Sequence, residues 1–425
     1  IALKVERIIY DAFTIKRRVI RLENLVIKTL DLDFVQFQRL IENFQNKSLK
    51  DGAEKGRSIT EEQITFSFGR LYLDAELLLG MYYQNKLLAI LGAAPSVVKF
   101  QGEVFKAAGI GGWGLDPIVL LEYTKGESLK DNQNYEKNQT RIFRLLLDEI
   151  ISRATAKKFD LLYAFPVADE IKSLSDFLQE TAKWTVLNKN VENQTKLMGS
   201  EGVDILKEKR GLNILESQAA KLLAKMKQDR ITTGVLRKAT ELDITKIVEL
   251  LNGYSKIHEV ARIWTLEEFQ AYLKAFEALK RKKYLSQEEY PETPYGFDSI
   301  VWDDSGDIKA TIIYEVNETF LKKGFAPILF IHQLAFSDEI NRKEANASKK
   351  EKNDFMGSFL APFHLKVCTA YALLPYYDEK AFDGFLGERR TTPLVAKALT
   401  EKANSVVQLK KLKKFYLNFV EFTVP

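Results

Sequence analysis

One cysteine, Cys368, and three histidines, His258, His332 and His364, are all that 425 residues offer as soft or imidazole ligands. A lone cysteine excludes an internal disulfide framework and any Cys-based zinc site. Three scattered histidines make no metal signature. The expectation is a chain without a metal, in a reducing compartment, the cytoplasm. Long apolar runs are missing too. No stretch of 18 residues is free of charge, so no membrane-spanning helix is expected. Ile1 to Arg21 alternates apolar and charged residues, without the unbroken apolar segment of a secretory signal. The chain begins at Ile1 rather than Met, so residues upstream are expected to be missing. Charge of one sign is also scarce: 63 Lys+Arg face 58 Asp+Glu, a net +5. That balance suits an anionic small ligand as well as nucleic acid and selects neither.

What is present is ordinary globular composition, 46% hydrophobic and 28% charged, which excludes a disordered chain. Domains of roughly 100–200 residues predict two to four here. A long-period repeat narrows this. Leu25-Val26-Ile27-Lys28-Thr29-Leu30-Asp31-Leu32-Asp33 is followed by Phe34, Phe37, Leu40, Ile41 and Phe44. Val235-Leu236-Arg237-Lys238-Ala239-Thr240-Glu241-Leu242-Asp243, 210 residues later, is followed by Ile244, Ile247, Leu250, Leu251 and Tyr254. Each copy reads as a short strand, a turn and a helix with 3–4 spacing. The expected organisation is an N-terminal domain over 1–215, a linker helix over 216–233 and a C-terminal domain over 234–425.

Within the first half, Lys86 to Pro95, Val97 to Phe105 and Lys106 to Leu115 read as strands, with Gly102 at a turn. A polar loop, Lys125 to Thr140, precedes a helix from Arg141 to Lys157, then a strand, Asp160 to Pro166, a helix near Ser173 to Lys183 and a strand beyond residue 186. The second half repeats the order. Asp298 to Trp302 and Ile308 to Val316 form a hairpin around Asp304-Ser305-Gly306-Asp307, followed by a strand from Pro327 to Phe336. Then come a polar loop, Ser337 to Lys352, a helix from Asp354 to Leu365, a strand from Val367 to Pro375, a helix from Thr392 to Leu412 and a strand from Phe415 to Val424. The fold class is α/β (α+β): mixed, mostly antiparallel sheets flanked by helices.

Ala107 to Pro166 carries the most specific pattern. Gly109-Ile110-Gly111-Gly112-Trp113-Gly114-Leu115-Asp116-Pro117 is a small-residue strand end, and Ile142-Phe143-Arg144-Leu145-Leu146-Leu147 opens an apolar helix face. This arrangement resembles the GNAT N-acetyltransferase superfamily, duplicated in tandem. The resemblance implies that backbone amides and a helix N-terminus hold the pyrophosphate of acetyl-CoA or another acyl-CoA, and that an amine acceptor, a small molecule or a peptide, takes the acyl group. It implies cofactor contacts at Gly112, Trp113, Gly114, Leu115, Gln139, Thr140, Arg141, Ile142, Phe143, Arg144, Phe165 and Pro166. The sequence Asn138-Gln139-Thr140-Arg141-Ile142-Phe143 stands where the family has a basic and glycine signature; both glycines are absent.

Each candidate has a plainer reading. The glycines suit a ligand lying against the backbone, or a bulged strand. Arg141 and Arg144 suit a phosphate, or solvent. Ala164, Phe165 and Pro166 line a gap, or fill a core. Asp116 is a base, or a helix cap. The Pro425 carboxylate is a base, as the resemblance implies for tandem enzymes of the N-myristoyltransferase type, or a strand end. His332 reads as a hydrogen-bonded core histidine and Cys368 as a small hydrophobe. A Tyr expected near Phe177-Leu178-Gln179 is missing. The resemblance therefore implies an acyl-CoA-dependent N-acyltransferase, most simply an acetyltransferase. A catalytically degenerate binding protein and a tRNA-dependent aminoacyl transferase stay open. No RNA-binding motif is present, and nucleic acid is neither indicated nor excluded.

Overall fold

A computed structural model describes residues 20–22, 24–30, 35–40, 43, 74–125, 132–166, 172–197, 203–204, 207–208, 213, 218, 231–277, 296–321, 324–363, 369–372, 386–408, 412 and 415–417. The first half begins with β1 (Ile20–Leu22) and β2 (Leu25–Thr29), then β3 (Leu78–Tyr83), β4 (Lys86–Phe100) and β5 (Glu103–Leu115). Helices α1 (Pro117–Tyr123) and α2 (Asn132–Ala156) follow, then β6 (Leu161–Ala164), α3 (Lys172–Asp176) and β7 (Thr185–Leu197). The second half holds β8 (Val235–Lys238), α4 (Ile244–Ser255), β9 (Val260–Ile263) and α5 (Leu266–Glu277). It continues with β10 (Gly296–Asp304), β11 (Asp307–Leu321), β12 (Gly324–Phe336), α6 (Asp338–Arg342) and α7 (Ala345–Leu360). The last elements are β13 (Thr369–Ala372), β14 (Leu386–Ala398), α8 (Glu401–Val407) and β15 (Phe415–Tyr416).

Among the described residues fifteen strands join in one sheet: thirteen follow the order β1-β2-β3-β4-β5-β6-β14-β7-β13-β12-β11-β10-β8, and β9 pairs with β4 and with β15 off that path. The order reads nearly the same from both ends. Each half contributes an antiparallel meander closed by one parallel pair, β5 with β6 and β12 with β13. At the centre the halves exchange their last strands. β14 pairs with β6, β7 pairs with β13, and β7 and β14 pair with each other. The fold is therefore two similar α/β units whose sheets are continuous. The expected linker helix, Glu216 to Lys227, lies almost wholly outside the described residues.

The hairpin turns follow from local chemistry. Gln101-Gly102 and Ser305-Gly306 have positive φ at both positions, which returns the chain with the twist that flanking strands need. Both turns fall where the sequence places them. Two apolar layers then form on opposite faces of the first half. Ala108, Ile110, Trp113 and Leu115 pack with Ile142, Phe143, Leu146 and Ile150 of α2. Phe105, Ala107, Leu161, Tyr163 and Phe165 pack with Val260, Leu394 and Val406 on the other face. A third cluster, around Leu251, Tyr254, Trp302, Ile331 and Phe355, is the core of the second half.

Three expected elements differ. The helix expected from Arg141 starts at Asn132: the Asn- and Gln-rich stretch that reads as loop is the exposed opening of α2. The polar segment Ser337 to Lys352 is mostly helical, as α6 and the first half of α7. The helix expected over Thr392 to Leu412 is a strand up to Ala398, and helix only from Glu401. Thr400 caps that helix by accepting the Ala403 N–H at 3.3 Å. The strand expected over Phe415 to Val424 is described only at Phe415–Tyr416.

Candidate functional site

The parallel pair β5–β6 runs from Ala107↔Leu161 to Ile110↔Ala164 and stops. β5 continues to Leu115 without a β6 partner, so the parallel ladder ends at Ile110↔Ala164, and Phe165 and Pro166 follow the end of β6. Next to the last paired residue, β5 carries a bulge. Ile90 pairs with Gly114 and Gly92 with Gly111, which leaves Gly112 and Trp113 together opposite Leu91. Gly112 has φ +67, in the left-handed region where other residues are strained. The bulge also resets the alternation. Ala108 and Ile110 face α2, and after the extra residue Trp113 and Leu115 face it again. The glycine run is thus a bulged strand just past the end of the parallel pair.

β12 is built the same way. Its pairing with β13 ends at Ile331↔Ala372, and the neighbouring ladder jumps from Ile313↔Gln333 to Tyr314↔Ile331. His332 is the extra residue. It is buried, with Nε2 3.0 Å from Oε2 of buried Glu315. The expected core histidine is there, but at the position where the first half has glycine.

The expected site residues separate into groups. The side chains of Trp113, Leu115, Ile142 and Phe143 are core, and Trp113 meets Phe143 edge-on at 5.3 Å. Gln139 to Arg144 are not at a helix N-terminus. They are the third and fourth turns of α2, and at about 1.5 Å per residue Arg141 sits roughly 14 Å from its first residue. Gln139 is buried, Thr140 half-buried, and Arg141 and Arg144 are exposed, with Arg144 Nε 3.7 Å from Asp148. Phe165 is fully buried, Pro166 is buried beside it, and Phe165 stacks edge-on to Tyr163 at 5.9 Å.

Asp116 is fully buried and caps α1, accepting the Ile118 and Val119 N–H groups at 2.9 and 3.1 Å. Its other oxygen accepts Asn43 Nδ2 at 3.0 Å and lies 3.6 Å from Arg39 Nε. Both carboxylate oxygens are engaged, which is the cap reading of this residue. Tyr135 is pushed up to about 12, first by burial and then by the Asp116 charge. Pro425, Cys368 and His364 lie outside the described residues. No group of three His, Cys, Asp or Glu among the described residues is placed to hold a metal, and no described helix is long and apolar enough to cross a membrane.

One cluster has no counterpart in the sequence reading. Arg262 of β9 lies flat against Trp264, 3.7 Å from the ring centroid, in a buried setting beside Tyr163 and Ser96. A lone arginine in the run Val260-Ala261-Arg262-Ile263-Trp264 is the signal that was available.

No protein-family model and no curated protein matches the chain. Solved structures do. Saccharomyces cerevisiae N-myristoyltransferase with bound myristoyl-CoA and inhibitors aligns at TM-score 0.60 and 15% identity, over 89% of this chain and 80% of that one. A second structure of that enzyme, with bound myristoyl-CoA, aligns at TM-score 0.60 and 15% identity over 91% of this chain and 85% of that one. The chain shares the overall fold of these structures. Identity this low carries the architecture alone; the end of the β5–β6 ladder, the bulges and the exchanged strands are what this chain itself displays.

Proposed function

We propose that the chain is an acyl-CoA-dependent N-acyltransferase that holds its acyl-CoA in the gap between β5 and β6. The observation that carries this is the bulge at Gly112-Trp113 beside the end of the parallel pair. A bulge interrupts the ladder, so backbone N–H groups there are available to a developing oxyanion. Glycines at Gly111, Gly112 and Gly114 let a thioester approach the main chain. The pyrophosphate then goes to the first turn of α2 at Asn132, where a 25-residue helix has N–H groups without intrahelical partners. Arg141 and Arg144 are too far along that helix for the role.

In the reaction the acceptor amine attacks the thioester carbon. A C–N bond forms, the C–S bond breaks, and the CoA sulfur takes a proton as the amine loses one. Asp116 is committed to its cap, so the Pro425 carboxylate is the base candidate that this reading keeps. The likeness to an enzyme solved with myristoyl-CoA supports a long acyl chain over acetyl. The second half shapes the acceptor site. The missing Tyr near Phe177, where Phe177 and Leu178 are buried apolar residues, favours the degenerate binding protein as second reading.

Calorimetry with acetyl-CoA and myristoyl-CoA tests the proposal. Micromolar binding of either, lost in Gly112→Val, supports it. Failure of both to bind rejects it.

A further inference from the structure

Buried donors without acceptors gather on the face of the sheet away from α2. Arg262 is 6% exposed and Ser96 is 2% exposed. Arg262 Nε and Trp264 Nε1 are fully buried and have no hydrogen-bond partner among the described residues, and buried Ser96 has the Tyr163 hydroxyl as its neighbour. The guanidinium lies on the Trp264 ring, so the two unpartnered donors belong to one stacked pair. Tyr163 and Ser96 sit on β6 and β4, and Arg262 reaches them from β9, which pairs with β4 at Val98↔Arg262. Burial lowers the Arg262 pKa and raises that of Tyr163, as expected of groups removed from water. The carboxylate with an electrostatic effect on Arg262 is Glu268, which exchanges capping contacts with Thr265 and forms no ion pair with the guanidinium among the described residues.

A buried cation costs free energy unless it is paired, and a buried donor unless it is accepted. Here the guanidinium Nε and the indole N–H of one contacting pair are buried with no acceptor among the described residues. A planar anion with two acceptor oxygens satisfies the guanidinium fork and leaves an oxygen for the hydroxyl groups. We infer that Arg262, Trp264, Ser96 and Tyr163 form a buried subsite for a carboxylate, brought by the acceptor. Tyr163 is one residue before Ala164, where β5 and β6 part, so the subsite flanks the proposed acyl gap. That the carboxylate belongs to an acceptor rests on the acyl-transfer reading; that a carboxylate binds does not. A second source is the chain itself. β15 runs parallel to β9 at Phe415↔Val260 and Tyr416↔Ala261, one residue short of Arg262, and the sequence beyond Leu417 carries Glu421.

The test uses the full chain without acyl-CoA. Melting temperature is measured with millimolar glutarate, and with uncharged glutaramide as control. It is measured for the native chain, Arg262→Met, Arg262→Lys, Glu421→Gln and a chain ending in a C-terminal amide. The expected result is a melting point raised by glutarate and unmoved by glutaramide. Arg262→Met removes that response and raises the ligand-free melting point, because an uncompensated charge is gone. Arg262→Lys keeps the response with roughly tenfold weaker binding, having lost the fork. If instead glutarate does nothing, but Glu421→Gln or the terminal amide lowers the melting point only while Arg262 is present, the carboxylate subsite stands and its acceptor source falls. The inference is overturned if glutarate has no effect and Arg262→Met lowers the melting point by the same amount in every tail background. The guanidinium then serves only to pack against Trp264. Glutarate binding alongside absent acyl-CoA binding would remove the proposed function and leave this subsite in place.

Discussion

Replacing Arg153 by Met should destabilise the first half more than any exposed charge change. Arg153 and Glu149 stand one turn apart on α2, both buried, with Nε to Oε1 at 2.8 Å. Arg153 Nη1 also donates to Thr29 Oγ1 at 2.9 Å and to the Glu76 carbonyl at 3.0 Å. It thereby ties α2 to β2 and to the turn before β3. Met keeps most of the stem's volume and apolar contact but removes the charge and three hydrogen bonds. Glu149, itself buried, loses its arginine partner. Breaking one side of a buried pair costs about 3–5 kcal/mol. Glu149→Gln should cost less, about 1–3 kcal/mol, because Arg153 keeps Thr29 and Glu76 and gains an amide oxygen. Removing both with Glu149→Met and Arg153→Met should recover most of the loss, since a buried pair replaced by apolar residues is often near neutral. Urea unfolding followed by tryptophan fluorescence reports Trp113 and Trp184, both buried in this layer. A loss under about 1 kcal/mol for Arg153→Met, or a double variant worse than the single, would refute the reasoning.

Gly112→Val places a β-branched residue at φ +67 and should abolish acyl-CoA binding by calorimetry while costing about 1–2 kcal/mol in unfolding experiments. Asp116→Ala should cost about 0.5–2 kcal/mol as a lost N-cap, and acyl transfer measured on the folded variant should persist; loss of turnover in a stable variant would reinstate Asp116 as base. Asp243 lies 2.7 Å from Arg237, which holds its carboxyl well below the usual range, aided by Thr240. A depressed carboxylate contributes stability present above its unfolded pKa and lost as pH falls through the folded one. Melting temperature should therefore drop below about pH 4, and Asp243→Asn should flatten that part of the profile.

The hairpins were legible because their determinants are local. Gly102 and Gly306 supply the positive φ that their turns need, within two residues of the strands they join. The repeat was legible because each half must cover the same kind of sheet with the same kind of helix. The strand exchange was not. β7 meets β13 through Thr369↔Leu197, and β14 meets β6 through Ala398↔Leu161, pairings between residues far apart in the chain. Nothing in a window of one element encodes them. Thr392–Ala398, the end of β14, reads as helix in sequence because Val395, Leu399, Ala403, Val406 and Val407 fit a helical spacing across a boundary that only Thr400 marks. Asn132 to Gln139 was misread because Asn disfavours helix interiors, although an exposed first turn tolerates it. The site suffered from the same error: Arg141 and Arg144 were assigned to phosphate on the strength of a helix start nine residues too late.

The internal symmetry bears on which half takes the acyl-CoA. Both β5 and β12 carry one bulge, and both bulges follow the last residue paired to the parallel strand. After each bulge the apolar alternation shifts by one, Ile110 to Trp113 in the first half and Ile331 to Leu334 in the second. Shared geometry at both sites argues that the bulge belongs to the architecture. What differs is the side chain placed there. The first half puts Gly112 at the bulge and Gly111 and Gly114 around it, leaving backbone for a ligand to approach. The second half fills the equivalent stretch with two buried side chains, His332, held by Glu315 at 3.0 Å, and Gln333. A thioester drawn to bulge amides meets bare main chain in one half and an imidazole in the other. The proposed acyl-CoA site is accordingly assigned to the first half, and opening the second by His332→Gly should not create a second equivalent of bound acyl-CoA. The Glu315 carboxylate left there would repel the anionic ligand and the developing oxyanion alike. Calorimetric stoichiometry decides the matter: a rise from one equivalent to two in that variant would mean that the plugged bulge alone, and not the charge behind it, separates the halves.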